Sequence, residues 1–215
     1  MAESTQFKAA VLVNAISAVD DPFKAAFQKC ISSACPGAWV DFFDPIEAQM
    51  YPEPAQYDLI VLTGGTADAM AKDIPWVLKI QDFLRKTVEE CPTQKIVGVT
   101  PITLTSAGSS FFTSYLPSTE AYKIQEFHER EVKTPGKNFI ALAEENQCFI
   151  NAANTILTFQ GHPEMSAELT RLLLKDVPKY MGRNAAEKKA LEMKIDSRHD
   201  GTALWKRIVE WAGKA

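Results

Sequence analysis

The stretch "FQGHPE", residues 159–164, sets a histidine and a carboxylate two residues apart. A short apolar run, "TILTF", leads into it, and Gly161 intervenes. This pattern puts the His162 imidazole at the carboxyl end of a buried strand, the end at which open α/β sheets bind ligands. Glu164 stands close enough to hold the ring by a hydrogen bond. A histidine oriented by a carboxylate is the base half of a nucleophilic triad. The structural alternative is a loop histidine beside a helix-capping glutamate, and spacing alone does not choose between the two.

Two further stretches carry residues of the right type. In "LTGGTADA" (62–69), Gly64 and Gly65 follow an apolar strand and would let backbone N–H groups approach an anion or oxyanion closely, although a plain tight turn uses the same residues. In "QEFHERE" (125–131), His128 is either a substrate contact or an exposed strand histidine. His199 lies in an Asp-Gly turn and reads as structural. Cys30, Cys35, Cys91 and Cys148 fit no zinc spacing, so the reading includes no metal and no cofactor.

The elements that would position these groups alternate between strand and helix. "FKAAVLVN" (7–14) is a first strand; Asp20-Asp21-Pro22 opens a helix with Phe23, Ala26, Phe27, Cys30, Ile31 and Ala34 at helical spacing, and Pro36-Gly37 stops it. "AWVDFF" (38–43) and "YDLIVL" follow as strands, then a helix from Asp73-Ile-Pro75 facing inward with Val77, Ile80, Phe83 or Leu84, and Val88, then the strand "KIVGV" (95–99). Short apolar strands in this order predict a doubly wound parallel sheet. "PITLT", "YKIQEFHE", "FIALAE" and "QCFI" alternate and predict added antiparallel strands. After "FQGHPE" comes a helix capped by Ser166, with Leu169, Leu172, Leu173 and Val177 inward. The tail (183–215) reads as a charged helix, a turn, and a helix carrying Trp205, Ile208, Val209 and Trp211. The whole of 1–215 reads as one domain.

At 215 residues and 46% hydrophobic the chain can bury a full core. A net charge of -4 gives no reason to expect nucleic acid or an anionic membrane as partner. "MAESTQFKAAVLV" lacks the basic flank and apolar core of a signal peptide, and no long apolar run suggests a membrane span. A reducing, cytoplasmic setting is the expectation.

"YDLIVLTGG", "PWVLKIQDFL", "KIVGV", "FHEREV" and "ILTFQGHPEM" occur in the order seen in class I glutamine amidotransferases. The chain resembles their stand-alone, GMP-synthase-like subgroup, which includes γ-glutamyl peptide hydrolases. The resemblance covers nearly the whole sequence, and "TFQGHPE" is its most specific motif. It implies a flavodoxin-like, mostly parallel sheet with added antiparallel strands and C-terminal helices. It also implies a Cys–His–Glu triad in which the thiol attacks a glutamine side-chain amide, ammonia leaves, and water or an acceptor resolves the thioester. His162 and Glu164 match the base and its orienting acid, Gly64 and Gly65 the turn giving an oxyanion-hole amide, and His128 a position near the substrate pocket. The implied partners are glutamine or a γ-glutamyl small molecule and a separate ammonia-accepting enzyme. Such relatives also occur in fungal secondary-metabolite pathways.

In that family the strand matching "KIVGV" leads into Cys-x-Gly-His-Gln, the nucleophile elbow, and no such motif occurs here. Replacement of the Cys by Thr100 leaves the loss of Gly-His-Gln unexplained, and Pro101 lacks the amide that would complete the oxyanion hole. A block deletion explains more: "KIVGV" runs directly into "GVTPITLT", which reads like a later strand of the family. The deletion could have arisen by evolutionary loss, an alternative transcript or a wrong gene model. The chain as written is expected to be inactive as a glutaminase. The alternative is a non-catalytic ligand-binding or interaction protein derived from the family.

Overall fold

A computed structural model describes residues 6–14, 20–65, 67, 71–84, 96–118, 120–128, 132 and 138–214, with only the backbone of 83 and 84. The chain forms two compact units, residues 1–86 with 208–215 and residues 87–207.

In the first unit, Lys8–Leu12 forms β1, whose Ala9, Ala10, Val11 and Leu12 are buried. Trp39–Phe43 (β2) and Leu59–Leu62 (β3) pair with β1 on either side, both parallel, in the order β2-β1-β3. Between β1 and β2 lies α1 (Asp20–Ala34). Asp20 and Asp21 sit in its first turn, where carboxylates offset the helix dipole, and Phe27 and Ile31, four residues apart, are its buried face. It ends where Cys35 N–H donates to the Ile31 carbonyl at 2.8 Å, just before Pro36-Gly37. The next helix, α2 (Pro75–Leu84), starts at the expected proline and buries Val77 and Ile80. Val88 and Cys91 lie outside the described residues.

The second unit is built on antiparallel pairing. Ile96–Thr103 (β4) pairs with Ala121–His128 (β5) over its whole length, from Ile96 opposite His128 to Thr103 opposite Ala121. Phe139–Ala141 (β6), Cys148–Asn151 (β7) and Leu157–Phe159 (β8) form a second antiparallel sheet in sequence order. The helices are α3 (Ser106–Phe112), α4 (Ala167–Asp176), α5 (Ala185–Ile195) and α6 (Gly201–Ala212), the last five residues of which belong to the first unit. Trp205, Ile208, Val209 and Trp211 of α6 are buried, as their spacing predicts.

The pairing of β4 corrects the reading of "KIVGV" as a strand of the parallel sheet. Residues 96–99 of the first stretch and 101–103 of the second, with Thr100 between them, are one strand, antiparallel to β5. Pro101 has no N–H to give a ladder, and it is tolerated because β4 pairs on one side only among the described residues. The helix α3 has no counterpart in the sequence reading, since "SAGSSFF" is poor in helix formers. It is held by Thr105, whose hydroxyl accepts from Gly108 N–H at 3.1 Å and donates to the Ala141 carbonyl at 2.7 Å.

An aromatic cluster anchors this unit. Tyr122 and Phe112 are each 1% exposed, with ring centroids 5.9 Å apart, and Phe159 lies 6.5 Å from Tyr122 and 6.2 Å from Phe112. Tyr122→Ala is therefore expected to cost about 3–5 kcal/mol in urea unfolding, the range for deleting a buried aromatic ring.

Candidate functional site

The stretch singled out by sequence forms a tight, pinned turn in the second unit. After β8, His162 N–H donates to the Gln125 carbonyl at 2.8 Å, a single antiparallel bridge that ties the turn to β5. Met165 N–H donates back to the His162 carbonyl at 3.2 Å. Ser166 then caps α4, its hydroxyl accepting from Leu169 N–H. Glu164 is thus free of any capping duty, and its carboxylate Oε1 lies 2.8 Å from His162 Nδ1. The Glu164 side chain is 6% exposed and that of His162 20%, so the carboxylate is buried behind an imidazole that still reaches solvent. The bond at Nδ1 fixes the ring, and the Phe127 backbone is a further hydrogen-bond partner of the imidazole.

Burial acts to lower the pKa of His162. The adjoining Glu164 charge and hydrogen bond, the charge of Glu126 and the Phe127 backbone outweigh it, and the net shift is upward from the ordinary value of 6.5. A raised histidine binds its proton more tightly in the folded state. Its contribution to stability is present in full below about pH 6.5 and is lost as pH rises through the folded value. Glu164→Gln is expected to flatten that dependence, measured as the urea midpoint between pH 5 and pH 8 in both proteins.

A second histidine–carboxylate pair lies on β5. Glu126 and His128, two residues apart on a strand, share one face. The His128 side chain is only 9% exposed, which rules out the exposed strand histidine considered from the sequence. Its Nε2 lies 2.7 Å from Glu126 Oε2, yet among the described residues no aligned hydrogen bond satisfies either group. The contact is a close pairing without hydrogen-bond geometry. Glu126 Oε1 packs against Gly161, where a Cβ would sit 2.6 Å from it, so a side chain immediately before His162 would have to displace that carboxylate. Sequence reasoning passed over Glu126. The signal was present, because Glu-x-His on a strand is the same spacing as His-x-Glu in the turn.

The other candidates fall elsewhere. Gly64 and Gly65 belong to the first unit and are exposed at the carboxyl ends of β1 and β3. There Asn14 N–H donates to Thr63 Oγ1 at 2.9 Å and its side-chain amide to the Thr63 carbonyl at 2.7 Å. A Cβ on Gly65 would meet the Asn14 carbonyl at 2.2 Å, so the turn there requires glycine. Thr100 lies within β4 opposite Ile124, its hydroxyl directed at the Gly98 carbonyl at 3.4 Å, and not on a sharp strand-to-helix turn. Cys148 is wholly buried in β7, and burial pushes its thiol well above the ordinary range, the reverse of what a nucleophile needs. His199 Nδ1 accepts from Gly201 N–H at 3.2 Å, a local turn bond. Among the described residues no group of three side chains could hold a metal ion, and no helix is long and apolar enough to cross a membrane.

No protein-family model matches the chain. It is 34% identical to the glutamine amidotransferase-like protein chyE of Penicillium rubens, over 96% of this chain and 97% of that one. It is 33% identical to the glutamine amidotransferase-like protein chry6 of Gibberella zeae, over 97% and 96%. The first alignment runs over 236 positions, whereas 96% of 215 residues is about 206, so about 30 positions lie opposite gaps in this chain. Among solved structures, a glutamine amido transferase from Methylobacillus flagellatus superposes with a TM-score of 0.65 at 13% identity, covering 96% of each chain. That likeness shows the fold, a flavodoxin-like α/β sheet with added antiparallel strands.

Proposed function

The chain belongs to the class I glutamine amidotransferase-like family, and we propose that it keeps the base half of the family's triad without the nucleophile. The observation that carries this reading is the 2.8 Å contact of His162 Nδ1 with a buried Glu164. In a complete member the thiol would give its proton to the imidazole while attacking the γ-amide carbon. The imidazolium would then protonate the departing ammonia, and water activated by the same ring would open the thioester. In this chain, as proposed, His162 is that base, Glu164 its orienting acid, and His128 lines the ligand pocket.

Two findings agree with loss of the elbow, one with its size and the other with its place. About 30 positions of the alignment with the Penicillium rubens relative have no counterpart here. Residues 96–99 also join 101–103 in one antiparallel strand, as expected when a later strand has absorbed the stub of an earlier one. On this reading the protein binds glutamine or a γ-glutamyl compound without turning it over. Any ammonia acceptor would be a separate enzyme, and a role in small-molecule or secondary-metabolite biosynthesis fits the family.

Titration calorimetry with glutamine tests the binding claim. Measurable heat that His162→Ala reduces at least about fivefold in affinity is expected, the loss of one charged hydrogen-bonding group. Absence of binding by glutamine and by γ-glutamyl peptides would leave a protein that uses the fold for interaction alone.

A further inference from the structure

We propose that Glu126 is a second positioning residue of this site, a buried carboxylate on β5 pressed against the turn that carries His162 and acting on that imidazole alongside Glu164. The inference rests on the reading of His162 and Glu164 as the retained pair and extends it to β5.

The geometry is specific. Glu126 is 1% exposed, and among the described residues neither of its oxygens makes an aligned hydrogen bond. A buried carboxylate in that condition is costly, and one kept in place calls for a reason. Its Oε1 abuts Gly161, the residue before His162, and the Gln125 carbonyl beside it binds the His162 N–H. The carboxylate is therefore pressed against the turn that carries the imidazole. Glycine at 161 is what admits it.

The groups around Glu126 are few. His128 on the same strand lies 2.7 Å from Oε2. Across the ladder stands Gly98, opposite Glu126, and the stem of Lys194 from α5 packs over it, 3.1 Å from where a Cβ would be. The Lys194 ammonium feels the Glu126 charge, as does the Tyr122 hydroxyl on β5. Glu164 is the remaining charged neighbour of His162 among the described residues. Glu126 thus lies against the turn that carries His162 and beside His128, while Glu164 is hydrogen-bonded to the ring itself. The unbonded carboxylate acts through its field alone, which lets it set the proton affinity of His162 without competing for Nδ1.

The test is a histidine side-chain NMR titration of the full chain, with His162 assigned by its loss in His162→Ala. Glu126→Gln should lower the His162 midpoint by about half a pH unit or more, the scale of a nearby charge. The urea midpoint, measured alongside, shows whether Glu126→Gln is folded, since the change also breaks the close pairing with His128. Lys194→Met, on the half-exposed face of α5, should move the His162 midpoint up. A folded Glu126→Gln protein with an unmoved His162 midpoint overturns the proposal. If Glu126→Gln does not fold, an unmoved midpoint in Lys194→Met does so. Calorimetry separates this from the parent reading: a shifted titration without glutamine binding sinks only the ligand assignment, and binding with an unmoved midpoint sinks only the role of Glu126.

Discussion

Insertion of a Cys-x-Gly-His-Gln elbow with its helix at Gly98–Val99 is expected to raise ammonia release from glutamine about 10³-fold or more over the chain as it stands. The magnitude follows from how triads work, since removing the nucleophile alone costs nearly as much as removing all members, and restoring it recovers nearly as much. The thiol would enter beside an imidazole already oriented by Glu164. The helix following the elbow would supply the positive N-terminal field that lowers a thiol pKa. The gain must vanish when His162→Ala is added. Release that persists without His162 would mean that the inserted cysteine acts alone and that the turn at 161–164 is only structural.

Much of this site was legible in the sequence because it is local. His162, Pro163 and Glu164 are adjacent in the chain, and the strand before them and the Ser166 cap after them follow from short-range patterns. Glu126 was missed because its importance depends on the bridge between Gln125 and His162, a contact 37 residues distant in the chain that no periodicity announces. The pairing of β4 was misjudged for a related reason. "IVGV" has the composition of a buried parallel strand, but direction is set by its partner, and β5 claims all eight of its positions. The helix α3 was invisible because tertiary packing and one threonine cap, not propensity, hold it.

The close approach of that helix gives a second large expected effect, on stability. A Cβ on Gly108 would lie 1.7 Å from the Leu142 carbonyl oxygen and 2.7 Å from its carbon, so backbone must move to admit alanine. Neither side yields easily. Gly108 N–H is committed to Thr105, and the Leu142 carbonyl accepts from Thr105 N–H at 3.1 Å. Gly108→Ala should therefore cost about 3 kcal/mol or more, at the top of the range for overpacking a core. Urea unfolding at constant pH measures it. A loss below about 1 kcal/mol would show that α3 can shift away from β6 at little cost.

A base retained without a nucleophile is tested most directly by ammonia release from glutamine by the chain as written. The prediction is no release above the uncatalysed background at any glutamine concentration, with Cys91→Ala and Cys148→Ala indistinguishable from the parent. Ammonia production that disappears in His162→Ala would contradict it. In that case the two cysteine variants would identify which thiol had taken the elbow's place.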